Sequence, residues 1–379
     1  MSYLEYSPKT TPHGLRKVFY FNWPLIVLVT TVSAIGFMVL FSVSGGSMTP
    51  YVEPQMQRFG MGLIAMFMIG FVPIWFWRNT AGLAYAVSIA LLLWVEFRGI
   101  TVGGAQRWID LGFMRLQPSE MAKITVVMLL AAYYDWLPRS YQSRPLYVLI
   151  PLVLISLPVL LTLNQPDLGT ALLMLVGGGA IMFFAGVHWA YFIAVIAAGG
   201  GLVAAVFASR GTAWQLLQNY QYQRIDTFLD PTSDPLGDGY QITQSQIALG
   251  SGGLHGRGFM EGTQSRLNFL PEKHTDFIFT TLAEEFGFVG GVSLLVLYLL
   301  ILAFCIFTAI QTRDRFASLV SLGVAVTFFL YFAMNMAMVM GLAPVVGVPL
   351  PLVSYGGSAL LVLMGAFGLV HSAHIHRPR

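Results

Sequence analysis

The chain has 379 residues, of which 56% are hydrophobic and only 10% charged, with 20 Lys or Arg against 17 Asp or Glu. A soluble domain carries about 25% charged residues, so this composition belongs to a polytopic membrane protein and excludes long disordered regions. No dense Lys/Arg block appears, which argues against a nucleic-acid partner, and the single cysteine, Cys305, excludes an intramolecular disulfide or a Cys-based zinc cluster.

A membrane-crossing helix needs about 20 mainly apolar residues, so gaps between charges locate the spans. They are residues 21–43, 59–77 and 79–95, a fourth from about 118 to 134 with Glu120 and Lys123 in its first turns, and a fifth at 145–166. The uncharged stretch 168–209 is long enough for two helices, joined by a tight turn at His188 and Trp189. Residues 286–312 form the eighth, and 316–376 divide at Pro344, Pro349 and Pro351 into the ninth and tenth. The glycine triplets 177–179 and 199–201 lie inside spans and are expected to allow close helix packing.

With the N-terminus inside, the segments on that side hold ten basic and three acidic residues, net +7, and the rest of the chain nets −4. Basic residues favour the cytoplasmic side, so both termini are expected there, with tails at 1–20 and 374–379. The N-terminal apolar run is too long for a cleaved signal and reads as an anchor. The expected fold is all-α: one transmembrane domain of about ten helices over residues 1–379, with a long outer loop, residues 210–276, before the eighth.

Four polar constellations share the outer side. Gly103–Asp110 with Arg115 leads into Gln117-Pro118-Ser119-Glu120-Met121-Ala122-Lys123, where Pro118 suits a helix start and Glu120 and Lys123 share a face. Ionisable groups in a span are costly and usually line a cavity, although a structural ion pair would look the same. Asn164-Gln165-Pro166-Asp167 makes a short outer turn, in which Asp167 either caps the next helix or touches substrate. The long loop carries Tyr220–Arg224, two Asp-Pro pairs and the run Gly250–Gly258, which lacks the Gly-Lys-Ser/Thr ending of a P-loop. Its aromatics, amides and basic groups suit a sugar and phosphate surface; a disordered loop is the alternative. In Leu270–Phe279, Asp276 stands between Lys273-His274 and an apolar helix start, where desolvation would raise its pKa and Lys273 or the helix dipole would lower it. A helix cap is the alternative.

The strings GGAQRWIDLG, QPSEMAK, QPDLGT, IALGSGGLHGRGF, LPEKHTDFIF and PLPLVSYGGSALL resemble, in order and across nearly the whole chain, the SEDS family (shape, elongation, division and sporulation). Lys273 before His274 and the ending Gly357-Ser358-Ala359-Leu360 are more similar to its elongation branch than to its division branch. The resemblance implies a bacterial inner-membrane peptidoglycan glycosyltransferase that polymerises lipid II, with its active site facing the periplasm. It also implies a class B penicillin-binding protein as transpeptidase partner and elongation components such as MreC and MreD. It further implies that Asp276 is catalytic and that Arg107, Glu120, Lys123 and Asp167 are cavity or substrate residues; Asn164, Gln165 and Lys273 join them as candidates.

The reaction so implied inverts an α-linked pyrophosphoryl sugar to a β-1,4 link. Direct displacement needs one base and stabilisation of the departing pyrophosphate. Asp276 is expected to accept the acceptor's 4-hydroxyl proton, with Arg107, Lys123 and Lys273 or Arg266 neutralising the pyrophosphate and Glu120 holding Lys123. The lipid tail is expected in a groove between helices. No metal-ligand spacing is evident, although a divalent cation, Mg or Mn, could share the work. A lipid II flippase is the rival reading; it fits less well because no inverted repeat is visible and the polar groups gather at one side. A scaffold that only organises partners accounts poorly for Glu120 and Lys123.

Overall fold

The computed structural model describes residues 14–102, 105–112, 114–212, 214–234, 237–263, 269–270 and 272–377. In chain order its helices and strands are α1 (Trp23–Val43), α2 (Val52–Phe71), α3 (Ile74–Arg98), β1 (Ile100–Val102), β2 (Ala105–Asp110), β3 (Arg115–Leu116) and α4 (Pro118–Trp136). Then follow α5 (Pro145–Asn164), α6 (Leu168–Ala185), α7 (Trp189–Ser209), the short α8 (Asn219–Leu229) and α9 (Asp238–Ser251), α10 (Ile278–Gln311), α11 (Arg315–Val339) and α12 (Gly357–Ile375). Among the described residues eight helices are long and apolar enough to cross a membrane. Two more, α2 and α4, have 20 and 19 residues and carry charges. The chain is therefore an all-α polytopic membrane protein, with a small antiparallel sheet in the order β1-β2-β3.

Local chemistry sets the helix ends. Asn22, Asp167 and Asp314 each accept a backbone N–H from the first turn of α1, α6 and α11, satisfying donors that a helix start leaves open. Gly186, at φ 100°, ends α6. Inside the spans, hydroxyls turn back to the carbonyl four residues earlier, as Thr162 does to Pro158 and Thr327 to Gly323, both at 2.8 Å. Lipid supplies no hydrogen-bond partner, so each polar group must find one within the protein.

Helix boundaries differ from the charge gaps in two places. The turn between α2 and α3 falls at Val72-Pro73, which are extended, so Arg78 lies inside α3 and pairs with Asp135 at 3.0 Å. Helix α10 begins at Ile278, eight residues before the uncharged run, with Glu284 and Glu285 buried in its first turns. Charge marks a boundary only when it meets solvent, and these carboxylates meet protein instead.

Small residues set the closest contacts. A Cβ on Gly368 would stand 2.9 Å from the Met66 carbonyl, bringing α12 against α2, and one on Gly178 would meet Ile155 of α5 at 2.7 Å. The second glycine triplet does not pack: Gly199, Gly200 and Gly201 have nothing within 4 Å. Helix α7 is almost wholly exposed along its length and is tied at its ends, by Tyr191 to the Ser143 carbonyl and by Tyr222 to the Val206 carbonyl.

The outer loop contains α8 and α9, and its glycine run has a structural task. Helix α10 breaks at Gly287, at φ 66° and ψ −162°. The backbone groups freed there pair with the run: Arg257 N–H donates to the Glu284 carbonyl at 3.0 Å, Gly258 N–H to Glu285 at 3.1 Å, and Phe288 N–H to Gly253 at 2.9 Å. The strands of chain are so close that a Cβ on Gly256 would lie 2.0 Å from the Glu285 carbonyl. Gly256→Ala should therefore lower stability by about 1–3 kcal/mol through the forced backbone shift, whereas Gly199→Ala should be neutral or slightly stabilising. Thermal melting of both variants in detergent would check the contrast.

Candidate active site

The turn Glu272–Phe277 that carries Asp276 is latched by backbone contacts to the chain just before α12. Ser354 Oγ donates to the Thr275 carbonyl at 2.5 Å and Tyr355 N–H to the His274 carbonyl at 2.9 Å. Asn335 of α11 donates through Nδ2 to the carbonyls of Asp276, at 2.7 Å, and Val348, at 2.8 Å. The Asp276 carboxylate itself makes no hydrogen bond among the described residues; its Oδ2 lies 3.7 Å from the Cβ position of Gly347. Burial, followed by the charges of Glu272 and Asp167, pushes its pKa up to about 7. Of the two opposed expectations, desolvation prevails over Lys273 and the helix dipole. Lys273 is itself lowered by burial, and burial likewise keeps His274 below its ordinary value.

One turn back from Asn335 on α11, and so on the same face, Tyr331 meets the intramembrane pair. Lys123 Nζ donates to Glu120 at 2.7 Å and to Tyr331, and the Tyr331 hydroxyl donates to the other Glu120 oxygen. All three side chains are buried. Lys123 thus has its charge matched inside the protein.

Asp167 does cap α6, accepting Thr170 N–H at 3.1 Å. Its second oxygen accepts from Gln117 at 2.9 Å and lies 3.8 Å from Arg107. Arg107, reaching from β2, donates to the carbonyls of Gln165, at 2.8 Å, and Pro166. Gln165 turns its amide to the Leu92 carbonyl at 3.2 Å, while Asn164 is exposed. The structure therefore gathers Arg107, Gln117 and Asp167 around the α5–α6 turn, and Glu120, Lys123 and Tyr331 beneath it. Asn164, the last residue of α5, lies at this turn but is exposed and makes no side-chain hydrogen bond among the described residues, and Arg266 lies outside the described residues. Among the described residues no three His, Cys, Asp or Glu side chains converge in a metal-binding group.

Two cavities flank these elements. An apolar groove of about 470 Å³ runs between α9, α10 and α11, walled by Leu249, Phe279, Phe288, Leu295, Met336 and Met340. A polar recess of about 590 Å³ is lined by His274 and Thr275 of the turn together with residues of α2, the sheet and the start of α12. Tyr331 and Asn335 were not singled out from the sequence, and Gln117 was named only as part of the first polar string. The first two show one available signal, polar groups at i and i+4 on an otherwise apolar helix.

The buried pair gives a direct test. Glu120→Gln leaves the Lys123 ammonium without a counter-charge and should cost about 3–5 kcal/mol, whereas the double change Glu120→Leu, Lys123→Met should cost far less. Thermal melts of the purified variants would show whether the single change is the more damaging.

Residues 22–379 match the family model described as FtsW/RodA/SpoVE, cell cycle protein. The chain is 44% identical over 343 residues to the peptidoglycan glycosyltransferase MrdB of Escherichia coli (strain K12), covering 90% of each. Its fold is similar, at a TM-score of 0.79 and 32% identity, to a chain from a peptidoglycan synthase complex described for its structural coordination of polymerization and crosslinking, covering 93% of this chain and 97% of that one. It is also similar to the rod shape determining protein RodA of Thermus thermophilus, with a TM-score of 0.70, 29% identity and coverage of 95% and 98%. The chain belongs to the FtsW/RodA/SpoVE family of cell cycle proteins, the SEDS family.

Proposed function

We propose that this protein is a peptidoglycan glycosyltransferase of the elongation branch, polymerising lipid II into glycan strands at the periplasmic face of the bacterial inner membrane. The observation that carries the reading is Asp276: a carboxylate without a hydrogen-bond partner among the described residues, raised to about 7 and set at the start of a membrane helix. Similarity to MrdB and RodA supports the reaction class. Similarity to a chain of a synthase complex supports a class B penicillin-binding protein as partner, and the elongation role brings MreC and MreD into the same assembly.

In the proposed step, Asp276 takes the proton of the acceptor sugar's 4-hydroxyl as that oxygen attacks the donor's anomeric carbon. The bond to the pyrophosphate breaks on the opposite face and its electron pair leaves with the lipid pyrophosphate, inverting the centre. A base with a pKa near the working pH is efficient because it is substantially ionised yet still basic. The apolar groove beside Phe279 suits a polyprenyl chain, with its sugar held at the membrane surface. Asn335 and Ser354 hold the Asp276 turn, while the buried Glu120–Lys123–Tyr331 set braces the helices beneath.

Chain growth from purified lipid II in detergent, where transport has no meaning, tests the reading. Asp276→Asn in folded protein should lose about 100- to 10,000-fold in rate, the usual contribution of a general base. Normal polymerisation by that variant would overturn the assignment, and a wild type unable to polymerise would favour a transporter.

The pH profile follows from the same carboxylate. Its pKa is raised, so it is protonated and unable to accept a proton below its midpoint. Then kcat/KM should rise with pH through a single ionisation near 7. Glu272→Gln removes one of the charges holding that pKa up and should move the limb to lower pH, which rate measurements across the range would detect.

A further inference from the structure

Two carboxylates have no part in the proposed step, yet they are the most deeply buried acids among the described residues: Glu284 and Glu285 of α10 are 0% and 1% exposed. Burying an ion is costly, and replacing a buried ionic set with apolar residues of similar volume is often neutral or stabilising. Packing alone therefore gives no reason for acids here. An ionisable group within a membrane helix usually has a task, and the hydrogen bonds of this pair indicate which.

Both acids flank the break in α10. An unbroken helix would send the N–H groups of Phe288 and Val289 to the carbonyls of Glu284 and Glu285. Here they donate to Gly253, at 2.9 Å, and Leu254, at 3.1 Å, while the two freed carbonyls accept from Arg257 and Gly258. The glycine run is thus spliced into the backbone ladder. Residues 278–286 become a short helical piece whose direction the rest of α10 does not set by continuous hydrogen bonding. The acid side chains complete the grip. Glu284 Oε1 accepts from Thr263 N–H at 2.8 Å and from its hydroxyl at 2.9 Å, with Arg257 Nε 3.9 Å away. Glu285 accepts from the Met260 N–H and from the hydroxyl of Ser42, in the last turn of α1. Met260 is held at φ 63°, a conformation uncommon for a residue with a side chain. The fit is close: a Cβ on Gly262 would stand 3.0 Å from Glu284 Oε2 and 3.3 Å from Glu285 Cγ.

We propose that Glu285, aided by Glu284, is a positioning residue for the base: by tying residues 278–286 to α1 and to the glycine run, it fixes the aim of Asp276 at the other end of that piece. This role rests on the polymerase reading, and neither acid touches substrate. The Asp276 end is fastened to Asn335 of α11 and to Ser354 and Tyr355 before α12. A short rod is aimed only when both of its ends are held, and the acids hold the second. They lie eight and nine residues from Asp276, about 12–14 Å along a helix axis. The charges that act on Asp276 after burial are those of Glu272 and Asp167, so the influence of Glu284 and Glu285 is mechanical. Misplacing a reacting group by about 1 Å can cost about 100-fold in rate, which makes such a tether matter for turnover.

Four variants of the full chain test the tether in detergent: Ser42→Ala, Glu285→Gln, Glu285→Ala and the double change Ser42→Ala, Glu285→Ala. Each would be assayed on lipid II across pH, melted, and followed by hydrogen exchange. Glu285→Ala should lower kcat about 10- to 100-fold. Its KM and the pH limb near 7 should not move, because the binding surface and the charges around Asp276 are untouched. Glu285→Gln keeps an acceptor oxygen at the same reach and should retain most of kcat. Ser42→Ala should lower kcat by a smaller factor, and the double variant should be no slower than Glu285→Ala, as expected of two groups acting through one bond. Backbone amides of residues 277–283 should exchange faster in Glu285→Ala, while those of α11 keep their rates. Wild-type kcat in folded Glu285→Ala would overturn the proposal, as would a loss carried by KM, a displaced pH limb, or a Gln variant as slow as the Ala one. Should Glu285→Ala fail to fold, unchanged kcat and exchange in Ser42→Ala would sink it equally. A wild type unable to polymerise lipid II would remove the polymerase reading; exchange around Asp276 would still decide whether the acids hold that piece in place.

Discussion

Backbone polar groups in a bilayer have no solvent to fall back on, and this constraint shapes the site end of the molecule. Three stretches of non-helical chain lie there: the glycine run before Met260, packed on the break in α10, and the turn carrying Asp276, packed on the proline-rich chain before α12. Each persists because another part of the protein supplies its hydrogen bonds. Carbonyls of Glu284 and Glu285 accept from Arg257 and Gly258 across the break at Gly287. Asn335 serves Asp276 and Val348 together, and Ser354 joins Leu350 to Thr275. The carbonyls of His274, Thr275 and Asp276 each accept a hydrogen bond from another part of the chain, which holds the turn in place while the Asp276 carboxylate makes none among the described residues.

The same logic governs charge. Moving an ion out of water costs several kcal/mol unless a partner compensates, and Lys123, Arg107, Glu120 and Asp167 have such partners. Their matched charges brace the bundle: α4 to α11 through Tyr331, and β2 to the α5–α6 turn through Arg107. Asp276 stands out against that background as a carboxylate removed from solvent with no hydrogen bond or ion pair among the described residues.

Much of the fold was legible in the sequence because the bilayer imposes a length and composition on each helix. All ten expected spans correspond to helices, and the turn at His188-Trp189 lies where α6 gives way to α7. Less visible was the start of α10, since Glu284 and Glu285 looked like surface charge, and the glycine run, whose close contacts are with residues about 30 positions later. The triplet at Gly199–Gly201 had the composition of a packed interface, yet a Cβ added at any of the three would meet nothing within 4 Å among the described residues.

The sequence by itself determined the membrane class, the order of the helices and the polar strings that mark one end of the bundle. These follow from short-range properties: hydropathy over a helix length, proline and glycine at turns, and residue spacing on one face. Only the tertiary structure decided which charges neutralise each other. Lys123 and Tyr331 meet across 208 positions, and Asp276 owes its raised pKa to burial and to acids that include Asp167, more than 100 residues away. Pairing and desolvation depend on what surrounds a group in space, and one-dimensional spacing does not carry that information.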